Sequence, residues 1–151
     1  GIFGYEVDES ADDYEANRQA VQEIAAALKE EGWTFASTGY NYQYLGTLSY
    51  DQLDEELGKW QEVSGALLGD CDTLLYPYGS EVDYTTEKGT LLTADGFRYL
   101  IGLWAEGDHL EVNDQYLRQT RKNITGMLLT TSPDCVSSYI NVSDILDPAR
   151  N

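Results

Sequence analysis

Two stretches of this chain carry apolar residues at the spacing of a helix. Across residues 21–28 they recur at intervals of three and four, which predicts a helix that ends near Glu31. Ser49 is followed three residues later by Gln52, the pattern of a capping box, so a second helix is predicted from that point. A third helix is predicted over residues 87–94.

Short apolar runs of the length of strands lie between these helices. They occupy residues 2–7, 33–37, 73–76 and 97–104. Because strands and helices alternate, right-handed crossovers would place the strands in one parallel sheet, and the predicted fold class is α/β. The pattern weakens in the last third of the chain. There we predict an acidic loop up to Asp114, a short helix at 115–121 and a strand at 124–129.

Length and charge then limit the class of protein. The 151 residues suit one domain, and an apolar content of 42% is enough to form a core. Nine basic against 27 acidic residues give a net charge of −18, which argues against nucleic-acid and membrane partners. No apolar run is long enough to span a membrane. No basic segment followed by an apolar one is present, so we expect any export signal to lie outside this chain.

Cysteine and histidine are scarce, and this restricts the chemistry further. Cys71 and Cys135 permit one disulfide or two free thiols, and neither has a basic neighbour that would activate it. His109 is the one histidine of the chain, so a metal site built from several histidines is excluded.

Three short motifs follow one another at a distinctive spacing. They are EGWTFAS at 31–37, LSYDQL at 48–53 and LYPYG at 75–79. In this order they resemble the polysaccharide deacetylases of carbohydrate esterase family four. The resemblance implies a parallel sheet forming part of a distorted (β/α) barrel, with 1–151 as a single domain that lacks the N-terminal strands. It also implies removal of acetyl groups from sugars, with a divalent metal such as zinc held by one Asp and two His.

The residues at the metal-binding positions depart from that family. The family places its two histidine ligands four residues apart, directly after a serine that Ser37 matches here. Those positions hold Thr38 and Tyr42, whose hydroxyl and neutral phenol are poor ligands for a divalent metal compared with imidazole. The aspartate motif of the family has no counterpart. We therefore predict no cofactor, and a deacetylase-like protein that is inactive or truncated.

If the metal site is lost, binding of carbohydrate without catalysis is the function that we predict. Pro77, Tyr78 and Gly79 retain a loop in which the family uses the tyrosine amide to bind an oxyanion, although a purely structural loop is the alternative. We predict that Trp33, Tyr40 and Tyr78 bind substrate through their aromatic faces, unless such rings only fill the space of the lost metal site. The expected partner is an acetylated polysaccharide or peptidoglycan.

Two other functions stay open. A divergent esterase would hold its metal with carboxylates such as Asp8, Asp108 or Asp114. A non-catalytic interaction module would form a homo-oligomer through uncovered sheet edges. His109 follows an apolar strand, as the last histidine of the family does, but we expect it in an exposed loop. The resemblance also implies a secreted or cell-surface protein of a bacterial cell wall.

Overall fold

The computed structural model describes residues 1–103 and 109–147 of the chain. Two compact units are present, the first covering Gly1–Arg121 and the second beginning at Lys122. Within the described residues, no helix has both the length and the apolar character that crossing a membrane requires.

The order of elements is mixed α and β. The helices are α1 (Tyr14–Glu30), α2 (Tyr50–Trp60), α3 (Ala66–Leu68), α4 (Glu87–Ala94) and α5 (Gly126–Thr131). The strands are β1 (Thr73–Leu75), β2 (Tyr99–Gly102), β3 (Leu110–Val112) and β4 (Leu117–Thr120). All but α5 belong to the first unit.

The three helices predicted before residue 95 are confirmed, because their signals are local. Helix α1 ends at Glu30, and Gly32 after it has a φ of 86°, a conformation that glycine adopts without steric cost. Both hydrogen bonds of the capping box between Ser49 and Gln52 form at the start of α2. Helix α4 has the predicted bounds, 87–94.

The strands form one open sheet in the order β1-β2-β4-β3. Strands β1, β2 and β4 are mutually parallel, and β3 pairs antiparallel with β4. On the free side of β1, Ser37 forms a single parallel bridge with Leu74. The predicted α/β class with a mainly parallel sheet is therefore confirmed.

Predictions for the last third of the chain are wrong. Residues 115–121 contain strand β4 instead of a helix, and β3 lies in the predicted acidic loop. The reason is a turn in which the Asn113 side chain accepts hydrogen bonds from the amides of Gln115 and Tyr116 and so closes a β3–β4 hairpin. Residues 124–129 overlap helix α5 instead of a strand, because Thr125 caps that helix through the Leu128 amide.

Two of the predicted strands in the first 40 residues are also wrong. Residues 2–7 contain only a bridge between Ile2 and Tyr5 across a tight turn, in which Phe3 and Gly4 both have positive φ. In 33–37 only Ser37 pairs with the sheet. An apolar run alone does not produce a strand where no neighbouring strand offers hydrogen bonds.

Two clusters of buried side chains hold the first unit together. The larger joins α2, α4, β1 and β2, and its members are Leu45, Leu53, Leu57, Leu74, Tyr76, Val82, Leu91, Leu92, Phe97 and Leu100. The smaller packs α1 against α3 and the end of α2. Burial of each large apolar side chain contributes about 1.5–3 kcal/mol, so the first cluster fixes the sheet and the loops that leave its carboxyl edge.

Candidate functional site

The loops that carry the family motifs leave the same edge of the sheet. The Ser37 amide donates to the Thr73 carbonyl, and the Ser37 carbonyl accepts from the Leu75 amide, each at 2.8 Å. Residues 38–42 therefore begin beside the carboxyl end of β1, and residues 77–79 follow that strand directly. In parallel α/β folds, ligands bind at the carboxyl ends of strands.

Three tyrosines form an aromatic cluster at this edge, which we call the tyrosine cluster: Tyr42, Tyr44 and Tyr78. The Tyr44 and Tyr78 rings stack with centroids 4.3 Å apart, and the Tyr42 ring meets Tyr78 edge-on at 5.2 Å. Each of the three side chains is at least half exposed to solvent, between 50% and 55%. The cluster therefore presents ordered aromatic rings to the solvent instead of burying them.

The backbone of two cluster residues is strained. Tyr42 has a φ of 56° and Tyr78 a φ of 57°, and Phe3 is the one other non-glycine residue with positive φ in the described part of the chain. This left-handed conformation costs about 1–3 kcal/mol for a residue with a side chain, and such strain is concentrated at functional sites.

A buried carboxylate holds the loop that carries Tyr42. Glu56 on α2 is 3% exposed. It accepts hydrogen bonds from the Asn41 amide at 2.5 Å, the Asn41 side chain at 2.8 Å and the Gln43 side chain at 3.1 Å. Sequence reasoning missed this residue, although its position on the buried face of α2, three residues after Leu53, was a usable signal.

Ser37 and Gly39 shape the start of the same loop. Ser37 is fully buried, and its Oγ accepts a hydrogen bond from the Gly39 amide. Gly39 has a φ of 74°, and a Cβ there would lie 2.8 Å from the Glu56 Oε1. The serine of the motif thus has a structural role in this chain, and the half-buried Thr38 follows it.

Partly buried polar groups fix the other loop of the edge, the one that follows β1. The Arg121 guanidinium donates to the carbonyls of Tyr76 and Ile101, both at 3.0 Å. The Tyr84 hydroxyl donates to the Tyr76 hydroxyl at 2.7 Å, and burial raises the pKa of Tyr76 well above its ordinary value. Tyr76 therefore stays neutral and anchors the chain just before Pro77.

The residues at this edge do not fit a divalent metal. Thr38 and Tyr42 supply only a hydroxyl and a phenol, and the Tyr42 ring packs edge-on against Tyr78. Among residues 1–103 and 109–147, no three His, Cys, Asp or Glu side chains converge as metal ligands would.

Asp8, Asp114 and His109, the described candidates from the sequence, are not members of the tyrosine cluster. Asp8 accepts hydrogen bonds from the Ser10 amide and the Tyr40 hydroxyl, which lower the pKa of its carboxyl group. Asp114 lies in the β3–β4 turn, and Asp108 falls outside the described residues. His109 precedes β3, with Nε2 4.0 Å from the Glu111 carboxylate.

Of the three residues predicted to bind substrate, only Tyr78 belongs to the tyrosine cluster. Tyr40 points its hydroxyl at Asp8, 3.1 Å away, and its ring lies 5.1 Å from the Lys59 ammonium. Trp33 lines a cleft with residues 69–72, which precede β1, and so lies at the amino edge of the sheet. Sequence reasoning placed Trp33 and Tyr78 in one site, and the structure separates them.

A family model covers the part of the chain that holds the three motifs. The chain resembles the crystal structure of Puue allantoinase with a TM-score of 0.45 and 17% identity, over 72% of this chain and 36% of that one. The chain therefore spans little more than a third of that protein's length. No curated protein matches it. The family model for polysaccharide deacetylase matches residues 5–100, well over half of the sequence. The chain belongs to the polysaccharide deacetylase family.

Proposed function

We propose that this polysaccharide deacetylase domain binds an acetylated glycan at the tyrosine cluster and does not itself carry out metal-dependent deacetylation. The observation that carries the proposal is the stacking of Tyr44 and Tyr78, with Tyr42 against them, in a half-exposed position at the carboxyl edge. A site that served only to fill the space of a lost metal would bury these rings.

The physical basis is the match between aromatic rings and sugars. A pyranose has an apolar face of C–H groups that packs on an aromatic ring, while its hydroxyl groups stay in water or bind polar side chains. Tyr78 contacts both other rings of the cluster, so it is the centre of the surface. The Glu56 hydrogen bonds keep the loop of Tyr42 in one conformation, which lowers the entropy cost of binding.

An acetylated polysaccharide or peptidoglycan is the partner that this proposal names. Such polymers are components of cell walls, so the proposal also places the protein at the surface of a bacterial cell or outside it. The charge of −18 does not oppose a neutral N-acetylated chain, whereas it disfavours an anionic one.

Titration with a tetramer of N-acetylglucosamine, followed by NMR, tests the binding. We expect shifts of residues 42–44 and 77–79, and at least tenfold weaker binding by Tyr78→Ala, which corresponds to about 1.4 kcal/mol. Tyr50→Ala is the matched control, because Tyr50 is an exposed tyrosine at the start of α2. Absence of any shift at millimolar sugar would refute the proposed binding.

Acetate release from the same tetramer tests the catalytic half. We expect no release above background, with or without added zinc. Release that needs zinc and stops with a chelator would contradict the proposal and restore the alternative of an esterase with carboxylate ligands, of which Asp8 and Asp114 are the described candidates.

A further inference from the structure

A second cleft lies at the opposite, amino edge of the sheet. Its volume is about 730 Å³, and we call it the Trp33 cleft. Trp33 and Phe35 contribute apolar surface, and Trp60, only 6% exposed, also lines the cleft. The residues that line it next to β1 are 69–72, so it is separate from the tyrosine cluster.

Trp33 is held in place although its side chain is open to solvent. The Trp33 amide donates to the Leu28 carbonyl, and the Gly32 amide donates to the Lys29 carbonyl, both at 3.0 Å. This pair of bonds is the Schellman motif that ends a helix, and it fixes the backbone of Trp33 against α1. The side chain nevertheless remains 65% exposed. An aromatic side chain on a fixed backbone binds a ligand at a low entropy cost, because little backbone freedom is lost on binding.

The lining of the cleft is acidic beside its aromatic surface. Asp70, Asp72 and Asp95 line it, against one cation, Lys29. The Lys29 ammonium lies 5.8 Å from the Phe35 ring centroid. Carboxylates close to an indole ring favour binding of a cation, because both the negative face of the ring and the carboxylates attract positive charge.

We infer that the Trp33 cleft is a second binding site, for a glycan whose sugars carry free, protonated amino groups. Such a sugar offers a C–H face to Trp33 and an ammonium group to Asp70 and Asp72. The net charge of −18 attracts a polycation to the molecule as a whole and raises its rate of association. This inference does not depend on the function proposed for the tyrosine cluster, because the two sites share no residue.

The test is a titration with a glucosamine tetramer, followed through the NMR signal of the Trp33 indole. We expect Trp33→Ala to weaken binding about tenfold and Asp70→Asn severalfold, while Lys29→Gln strengthens it by removing the one cation of the lining. Tyr50→Ala is the control and should leave this binding unchanged, because Tyr50 is an exposed aromatic residue that does not line the cleft. Binding should also weaken when sodium chloride is raised to about 0.5 M, as charge attraction is screened.

Two results would overturn the inference. One is an affinity for the glucosamine tetramer that neither Trp33→Ala nor Asp70→Asn changes. The other is equally tight binding of the N-acetylated tetramer at the Trp33 indole, because that sugar lacks the charge. Asp70 is exposed, so Asp70→Asn keeps the test decisive if Trp33→Ala lowers stability.

Discussion

Tyr78 combines two properties that can be separated by mutation. Its ring is the centre of the tyrosine cluster, and its backbone has a φ of 57°, in the left-handed region. A Cβ in that region meets the neighbouring carbonyl oxygen, at a cost of about 1–2 kcal/mol. The ring takes part in the proposed binding, and the strained backbone conformation holds the ring in its exposed position.

We therefore expect Tyr78→Gly to be more stable than Tyr78→Ala by about 1 kcal/mol, since only glycine relieves the strain. Both variants lack the ring, so both should lose glycan binding to the same extent. Urea unfolding of the two variants measures the difference in free energy. Equal stability would show that the position is not strained, and a difference in affinity would show that the backbone itself takes part in binding.

The two cysteines differ in their surroundings, and both are free thiols. Cys71 is half-buried, and its Sγ lies 3.2 Å from the Phe35 carbonyl oxygen that accepts its hydrogen bond. Burial raises the pKa of the Cys71 thiol, so less of the reactive thiolate is present near neutral pH. Cys135 is exposed.

A thiol reagent should therefore react in two phases, fast with Cys135 and slow with Cys71. Cys135→Ser should remove the fast phase, and Cys71→Ser the slow one. Because a lower pH leaves even less thiolate, the slow phase should slow further as the pH falls from 9 to 7. If unreduced protein showed no reactive thiol, the two cysteines would be paired and this expectation would be wrong.

At the scale of elements, the end of α2 and the loop at residues 39–43 form one unit through Glu56. The carboxylate lies under the loop and accepts three hydrogen bonds from it. Gly39 is required there because any Cβ would press on the same carboxylate. Glu56 touches no ligand in this arrangement, so it is a positioning residue for Tyr42.

Glu56→Ala should lower the free energy of unfolding by about 1–2 kcal/mol, as three donors lose their acceptor. It should also weaken glycan binding, since the loop of Tyr42 is no longer held. Glu55→Ala is the matched control, because Glu55 is the neighbouring, exposed glutamate of α2. Unfolding by urea and titration with the acetylated tetramer measure the two effects. Unchanged affinity in Glu56→Ala would mean that the loop keeps its conformation without the carboxylate.

Elements differ in how far the sequence predicts them. Helices α1 and α2 have apolar spacing, α2 has a capping box, and α1 and α4 are each followed by a glycine with positive φ, so local pattern was sufficient. The β3–β4 hairpin depends on the Asn113 turn and on pairing with β2, which no local pattern of 110–120 reveals. In the structure, residues 37–42 and 77–79 lie at one edge of the sheet. The motifs could not show that Trp33 lies at the other edge, because that depends on the path of the chain after α1.

For the whole molecule, the net charge opposes self-association, whereas an edge strand with one unpaired side favours it. Strand β3 is at the edge of the sheet and pairs on one side only in the described part of the chain. Leu110 and Val112 on it are 64% and 67% exposed, while Glu111 between them forms an ion pair with Arg118 at 3.1 Å. Such an edge is a template for pairing with a second chain, and the charge of −18 repels that chain.

We therefore expect self-association that depends on salt. Sedimentation should show a monomer at low ionic strength and a growing share of dimer as salt screens the repulsion, because the Debye length falls to about 8 Å near 0.15 M. Leu110→Lys places a charge on the edge and should abolish the dimer at every salt concentration. Met127→Lys is the control, since Met127 is even more exposed, at 75%, but lies outside the sheet. If the dimer persisted in Leu110→Lys, it would have to form through another surface. If the protein stayed monomeric at every salt concentration, the short length of β3 and the charge of Glu111 would be enough to prevent pairing of this edge.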